Sequence, residues 1–134
     1  MTTPYSKSIR YEYKLTYKLR KAGFLVIRAP SSGRNVYADI IAIKKRIILL
    51  FDVKYISKLE TLYIKKKYFD LLKKVEEIVD GYGFYAVYVG ELKEWRFIPL
   101  NQVEVISESY VKITPDKILN GLKLEDIVQQ YSKI

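Results

Sequence analysis

Cysteine and histidine are both absent from the 134 residues. Their absence excludes the usual zinc ligand sets, thiol nucleophiles and every Ser-His-Asp or Cys-His arrangement. Any catalysis must therefore run on carboxylates, lysine, tyrosine or a hard metal ion. Disulfides are excluded as well. Proline and glycine are scarce, at 4 and 6 residues, while 49% of the chain is hydrophobic, a composition that suits a packed globule and not a disordered tail. Long apolar runs are missing too. The longest, Ile47 to Val53, is broken by Asp52 and falls well short of the roughly 18 residues that span a bilayer. The polar opening, Met1 to Arg10, lacks the apolar core of a secretory signal, so a cytoplasmic protein with no membrane association is expected.

Acidic residues are outnumbered. Against 15 Asp and Glu stand 24 Lys and Arg, a formal charge of +9, which raises the local concentration of polyanions by long-range attraction. Nucleic acid is the expected partner class, with a membrane surface as the competing polyanion. The length predicts one domain over residues 1–134 with a real core.

Apolar residues at helical spacing (Ile9, Leu15, Leu19, Ala22) predict a helix from about Tyr5 to Ala22, stopped by Gly23. Strands are predicted over Phe24–Arg28 and Ala38–Ile43, separated by a loop at Pro30–Gly33, and over Ile47–Tyr55 after a turn at Lys44–Arg46. Ile64 to about Asp80 reads as a second helix, closed by Gly81 and Gly83. Phe84–Val89 and Glu94–Ile98 read as strands joined by a turn near Gly90, and Leu122–Tyr131 as a C-terminal helix. This order predicts an α/β fold, a mixed central β-sheet flanked by helices.

Side chains alternate along Ile47–Tyr55, so Asp52 and Lys54 share one face while Phe51 and Val53 take the other. A hairpin centred on Lys44–Arg46 puts residue 39 roughly opposite residue 51, which brings Asp39 and Asp52 to one end of the sheet. Unpaired burial of such groups costs several kcal/mol by typical desolvation figures, and a divalent cation such as Mg²⁺ or Mn²⁺ is an economical way to satisfy them. The alternative is a plain Asp-Lys ion pair at a strand end. Glu12 shares a helix face with Ile9, Leu15, Thr16 and Leu19, so it too aims at the sheet; its bland reading is a stripe-edge carboxylate paired with a cation.

Glu12, Asp39 and Asp52-Val53-Lys54 together resemble the PD-(D/E)xK nuclease superfamily. Gly23-Phe24-Leu25-Val26-Ile27-Arg28-Ala29-Pro30-Ser31-Ser32-Gly33, then Ala38-Asp39-Ile40-Ile41-Ala42, and finally Gly121-Leu122-Lys123-Leu124-Glu125-Asp126-Ile127-Val128 look like archaeal Holliday junction resolvases along almost the whole chain. The resemblance implies a restriction-endonuclease-like fold and metal-dependent cleavage of four-way DNA junctions by a homodimer. It implies Glu12, Asp39, Asp52 and Lys54 as the catalytic set. Mg²⁺, with Mn²⁺ as a substitute, would be held by Glu12, Asp39, Asp52 and the carbonyl of Val53.

Arg10, Arg28, Ser31, Ser32, Arg34, Lys65, Lys66 and Lys67 are the candidate DNA contacts, each with an ordinary polar turn or solvated face as its alternative. Tyr68 and Phe69 are candidates for a self-complementary dimer interface. Three departures from the family pattern stand out. Ala38 replaces the superfamily's proline, Tyr13 follows Glu12 where many resolvases carry Arg, and Ile64 to Phe69 offers no Gln. The competing functions are a related nuclease acting on other branched or nicked DNA, and a non-catalytic DNA-binding protein.

Overall fold

A computed structural model describes residues 4–29 and 38–132. Helix α1 (Pro4–Lys21) opens the chain, with Leu15 and Leu19 fully buried along one face. It ends because Gly23 takes a φ of +96°, a left-handed turn that L side chains resist, while Phe24 N–H donates back to Leu19 O at 3.1 Å. Strands β1 (Leu25–Arg28), β2 (Ile40–Lys44) and β3 (Ile47–Ile56) follow as an antiparallel meander.

β3 then pairs in parallel with β5 (Tyr82–Val89), which pairs antiparallel with β6 (Glu94–Pro99), giving the sheet order β1-β2-β3-β5-β6. The expected mixed sheet is thus present. Between β3 and β5 the chain runs through β4 (Leu62–Lys65) and α2 (Lys66–Val79). Ile64 and Lys65 therefore lie in a strand and not in the helix expected to start at Ile64.

After β6 a single 3-10 turn (Leu100–Gln102) leads into β7 (Glu104–Val105), β8 (Tyr110–Ile113), α3 (Pro115–Leu119) and α4 (Leu124–Ser132). β4, β8 and β7 form a second, three-stranded sheet that the sequence pattern did not reveal. Its pairing of Leu62 with Ile113 joins distant segments, and its strands are too short to show alternation.

The central sheet separates two cores. Leu49, Phe51 and Val53 of β3 pack with Leu15 and Leu19 of α1 and with Ile127 and Tyr131 of α4. Leu50 and Ile56 pack on the other side with Phe69 and Leu72 of α2, Tyr85 of β5 and Val111 and Ile113 of β8. α2 closes on Asp80, at a φ of 51°, and not on Gly81. Gly81 serves close approach instead, since a Cβ there would stand 2.7 Å from the backbone oxygen of Ile48.

Tyr68 is 46% exposed but Phe69 is 5% exposed, so Phe69 is corrected from a dimer candidate to a core residue. The helical turn that faces Tyr68 to solvent turns Phe69 into the sheet. Phe69→Ala is expected to cost about 3–5 kcal/mol of unfolding free energy, measured by denaturant titration. Tyr68→Ala should cost well under half of that. Equal costs would contradict the burial difference.

Candidate active site

Asp39 sits just before β2, where its N–H donates to Phe51 O at 2.9 Å and its own carbonyl accepts from Ala29 N–H at 2.9 Å. The ladder begins with Ile40 opposite Phe51, and Asp39 bonds the carbonyl of that same Phe51, so it lies beside residue 51 as expected, at the end of β3 that carries Asp52. Asp39 Oδ2 accepts the Val53 N–H at 2.8 Å. In an extended strand the N–H and C=O of one residue lie on the same edge, so the Val53 carbonyl faces the same side, beside Asp39.

Asp52 and Lys54 share the face of β3 that carries Leu50 and Ile56, the α2 side, as alternation requires. Lys54 Nζ stands 3.3 Å from Asp52 Oδ1. That approach lacks hydrogen-bond geometry, and Asp52 Oδ1 is buried with no hydrogen-bond donor.

Electrostatics mark the same place. Burial, and then the Asp52 carboxylate, push the Asp39 pKa up to about 7, against the hydrogen bond from Val53 N–H. Burial opposes charge on Lys54, yet Asp52 and Asp39 outweigh it and raise its pKa; the Tyr68 phenol contributes in the same direction, which places Tyr68 near Lys54. Two acids of one sign held together are costly unless a cation joins them. The donor set suits a hard divalent ion: two carboxylates, a carbonyl edge and an unsatisfied carboxylate oxygen.

Glu12 is buried at 6% exposure but stands in the α1 layer. Arg28 Nη2 approaches its Oε1 at 3.3 Å, and the guanidinium lies 3.9 Å from the Tyr13 ring centroid. Burial raises the Glu12 pKa against the pull of Arg28, and the Asp52 charge raises it further, so Glu12 lies within electrostatic reach of the pair. Among the described residues no three acids are gathered closely enough to hold a metal ion as a group. The site is thus Asp39 and Asp52 in electrostatic contact, with the Lys54 ammonium beside Asp52 and Glu12 in the α1 layer within electrostatic reach.

The other candidates are scattered. Arg10 is exposed on α1. Lys65 ends β4, and Lys66 is tied to Asp70 at 3.0 Å. Lys65 and Lys67 line a shallow surface cavity of about 370 Å³ with Glu108, Ser109 and Tyr110. Ser31, Ser32 and Arg34 lie outside the described residues. Two contacts have no sequence signal: the Tyr13 ring against the Arg28 guanidinium, and Tyr85 opposite Asp52 in the parallel ladder. No periodicity signals either of them.

A family model for the archaeal Holliday junction resolvases (Hjc) matches residues 3–134. The chain belongs to the archaeal Holliday junction resolvase family. As a member it is an endodeoxyribonuclease of the resolvase class, as the resemblance implied. It is 29% identical over 132 residues to the crossover junction endodeoxyribonuclease Hjc of Sulfurisphaera tokodaii, covering 96% of this chain and 90% of that protein. To the enzyme of the same name from Archaeoglobus fulgidus it is 30% identical over 130 residues, covering 94% and 92%. The solved structure of A. fulgidus Hjc, a Holliday junction resolvase from an archaeal hyperthermophile, superposes with a TM-score of 0.80 at 27% identity, covering 92% of this chain and 97% of that one. That likeness bears out the expected α/β class.

The acid pair makes stability depend on pH. With no divalent cation bound, the folded-state pKa of Asp39 stands above its ordinary value of 3.8, so folding favours the protonated form. That contribution is full below the ordinary value and is lost as pH rises through about 7. Cation-free protein is expected to melt lower at pH 8 than at pH 5, and Asp39→Asn to flatten the decline, with a gap on the order of 1 kcal/mol or more at pH 8. An unchanged decline in Asp39→Asn would show that another group titrates.

Proposed function

We propose that this resolvase hydrolyses its phosphodiester at the Asp39, Asp52 and Lys54 cluster, within a single nuclease domain. What carries the reading is the placing of Asp39 at the Asp52 end of β3, where burial and then the Asp52 charge push its pKa up, with Lys54 Nζ 3.3 Å from Asp52. Asp39, Asp52 and the Val53 carbonyl hold Mg²⁺, for which Mn²⁺ substitutes. When bound, the ion supplies Lewis-acid polarisation of the scissile phosphate and acidifies a water.

The side chains do the rest. The Val53 N–H fixes one oxygen of Asp39, leaving the other free to ligate. Lys54 stays protonated under the field of both carboxylates and neutralises charge that develops on phosphate. Glu12 completes the acid set from α1 when its carboxylate turns from Arg28, and Arg28 is then free to pair with a backbone phosphate. Arg10, Ser31, Ser32, Arg34, Lys65 and Lys67 supply further contacts to DNA, and Lys66 joins them at the expense of its pair with Asp70.

Asp52→Asn is expected to lower cleavage of a four-way junction by at least about 100-fold while junction binding stays within a few-fold, because the basic surface supplies the affinity. Wild-type protein should stop cutting in excess chelator and resume with Mg²⁺. Near wild-type cleavage by Asp52→Asn, or activity that survives the chelator, would overturn the assignment.

Resolution needs two cuts in opposed strands, so the working form is a homodimer with one centre per subunit, acting in the cytoplasm. A mixed dimer of one wild-type and one Asp52→Asn subunit is expected to convert a supercoiled cruciform plasmid to nicked circles, where wild-type dimer gives linear product. Linear product from the mixed dimer at wild-type yield would rule out the two-centre arrangement.

A further inference from the structure

Tyr85 is fully buried, and among the described residues its hydroxyl has no hydrogen-bond partner. A buried tyrosine hydroxyl normally finds one, so the orphan calls for an explanation. Its position narrows the choices. Tyr85 stands directly opposite Asp52 in the parallel β3–β5 ladder, so the two side chains rise from the same face of the sheet. Asp52 Oδ1 is likewise buried without a hydrogen-bond donor. A donor without an acceptor and an acceptor without a donor thus occupy adjacent positions under α2. Burial, and then the charges of Asp52 and Asp39, raise the Tyr85 pKa, so the phenol keeps its proton at any pH at which the enzyme works.

We propose that Tyr85 is a positioning residue for the acid pair: its hydroxyl donates to Asp52 Oδ1, directly or through one trapped water, and orients that carboxylate for the divalent cation. Carboxylates that ligate metals are themselves commonly hydrogen-bonded, and loss of such a partner typically weakens metal binding by about 10–100-fold. Lys54, at 3.3 Å from the same oxygen, supplies charge on a flexible side chain and at poor hydrogen-bond angles. A phenol held by a β-strand core supplies the direction. A single water between the two groups would have at least the pair of polar partners that a buried water needs.

The proposal rests on the reading of Asp52 as a ligand, and the test separates the two. Mn²⁺ is titrated calorimetrically into wild-type protein, Tyr85→Phe and Asp52→Asn in the absence of DNA, and each is melted without metal. Tyr85→Phe should bind Mn²⁺ about tenfold more weakly. Its cation-free form should still unfold cooperatively but melt somewhat below wild type, since the change removes a hydrogen bond to the Asp52 carboxylate and leaves Oδ1 without a donor. Junction cleavage by Tyr85→Phe should need about tenfold more Mg²⁺ for half-maximal rate and approach wild type at saturation. Unchanged Mn²⁺ affinity in Tyr85→Phe, alongside lost binding in Asp52→Asn, overturns the role of Tyr85 and leaves the centre standing. Unchanged affinity in Asp52→Asn overturns both. A cation-free melting temperature in Tyr85→Phe equal to wild type or higher would mean that the hydroxyl makes no hydrogen bond in the fold, and that also overturns the proposal.

Discussion

The register of β3 is the constraint on which the rest of the molecule depends. This one strand must fill both cores, with Leu49, Phe51 and Val53 against α1 and Leu50 and Ile56 against α2, and still present Asp52 and Lys54. A slip of one residue exchanges the faces of every side chain. It would press a carboxylate and an ammonium onto Leu15 and Leu19, which are fully buried, and turn Phe51 away from them. The apolar pattern therefore fixes the place of the acids without any contribution from the acids themselves. Pairing with β2 then sets Asp39 at the end of β3 that carries Asp52, and pairing with β5 sets Tyr85 beside Asp52.

What the register imposes on the charges is unfavourable in isolation. Burial, and then the Asp52 charge, raise the cost of ionising Asp39. A hydrophobic pair at these positions would suit the fold better, as replacements of buried ion pairs often do. The field of these groups raises the Lys54 pKa, and on the proposed reading it would also make a place where a divalent cation gains more than on an exposed surface. Stability and chemistry pull against each other at the same three side chains.

The parts of this arrangement that lie within one hairpin were legible in the sequence. Alternation along Ile47–Tyr55 is enough to separate Asp52 and Lys54 from Phe51 and Val53, and the short turn at Lys44–Arg46 is enough to bring Asp39 beside Phe51, whose carbonyl accepts its N–H. Helix α1 was legible from its apolar stripe and the glycine that ends it. Pairings between distant segments were not. β4 was absorbed into the helix that follows it, because four residues ending in a lysine run carry no strand signature. β7 and β8 went unseen for the same reason, and with them the sheet that covers α2. Tyr85 looked like one aromatic among 13 tyrosines, since its significance comes only from the parallel ladder.

The two-sided construction of the centre also explains why one departure from the family pattern is tolerated. Glu12 and Arg28 meet in the α1 layer, whereas Asp39, Asp52 and Lys54 belong to the layer under α2. Where many resolvases place a second cation next to this glutamate, Tyr13 stands instead, with its ring 3.9 Å from the Arg28 guanidinium. A stacked guanidinium has its plane fixed by the ring and loses less freedom for each hydrogen bond it forms. One cation, Arg28, thus pairs with Glu12 in the α1 layer. The cost of that economy is positive charge: with Tyr13 in place of an arginine, attraction of the phosphate backbone must come from elsewhere on a chain of net charge +9. Arg10 and Lys14, on the same helix and both within 6 Å of the Tyr11 ring, are positioned to provide it without competing for Glu12.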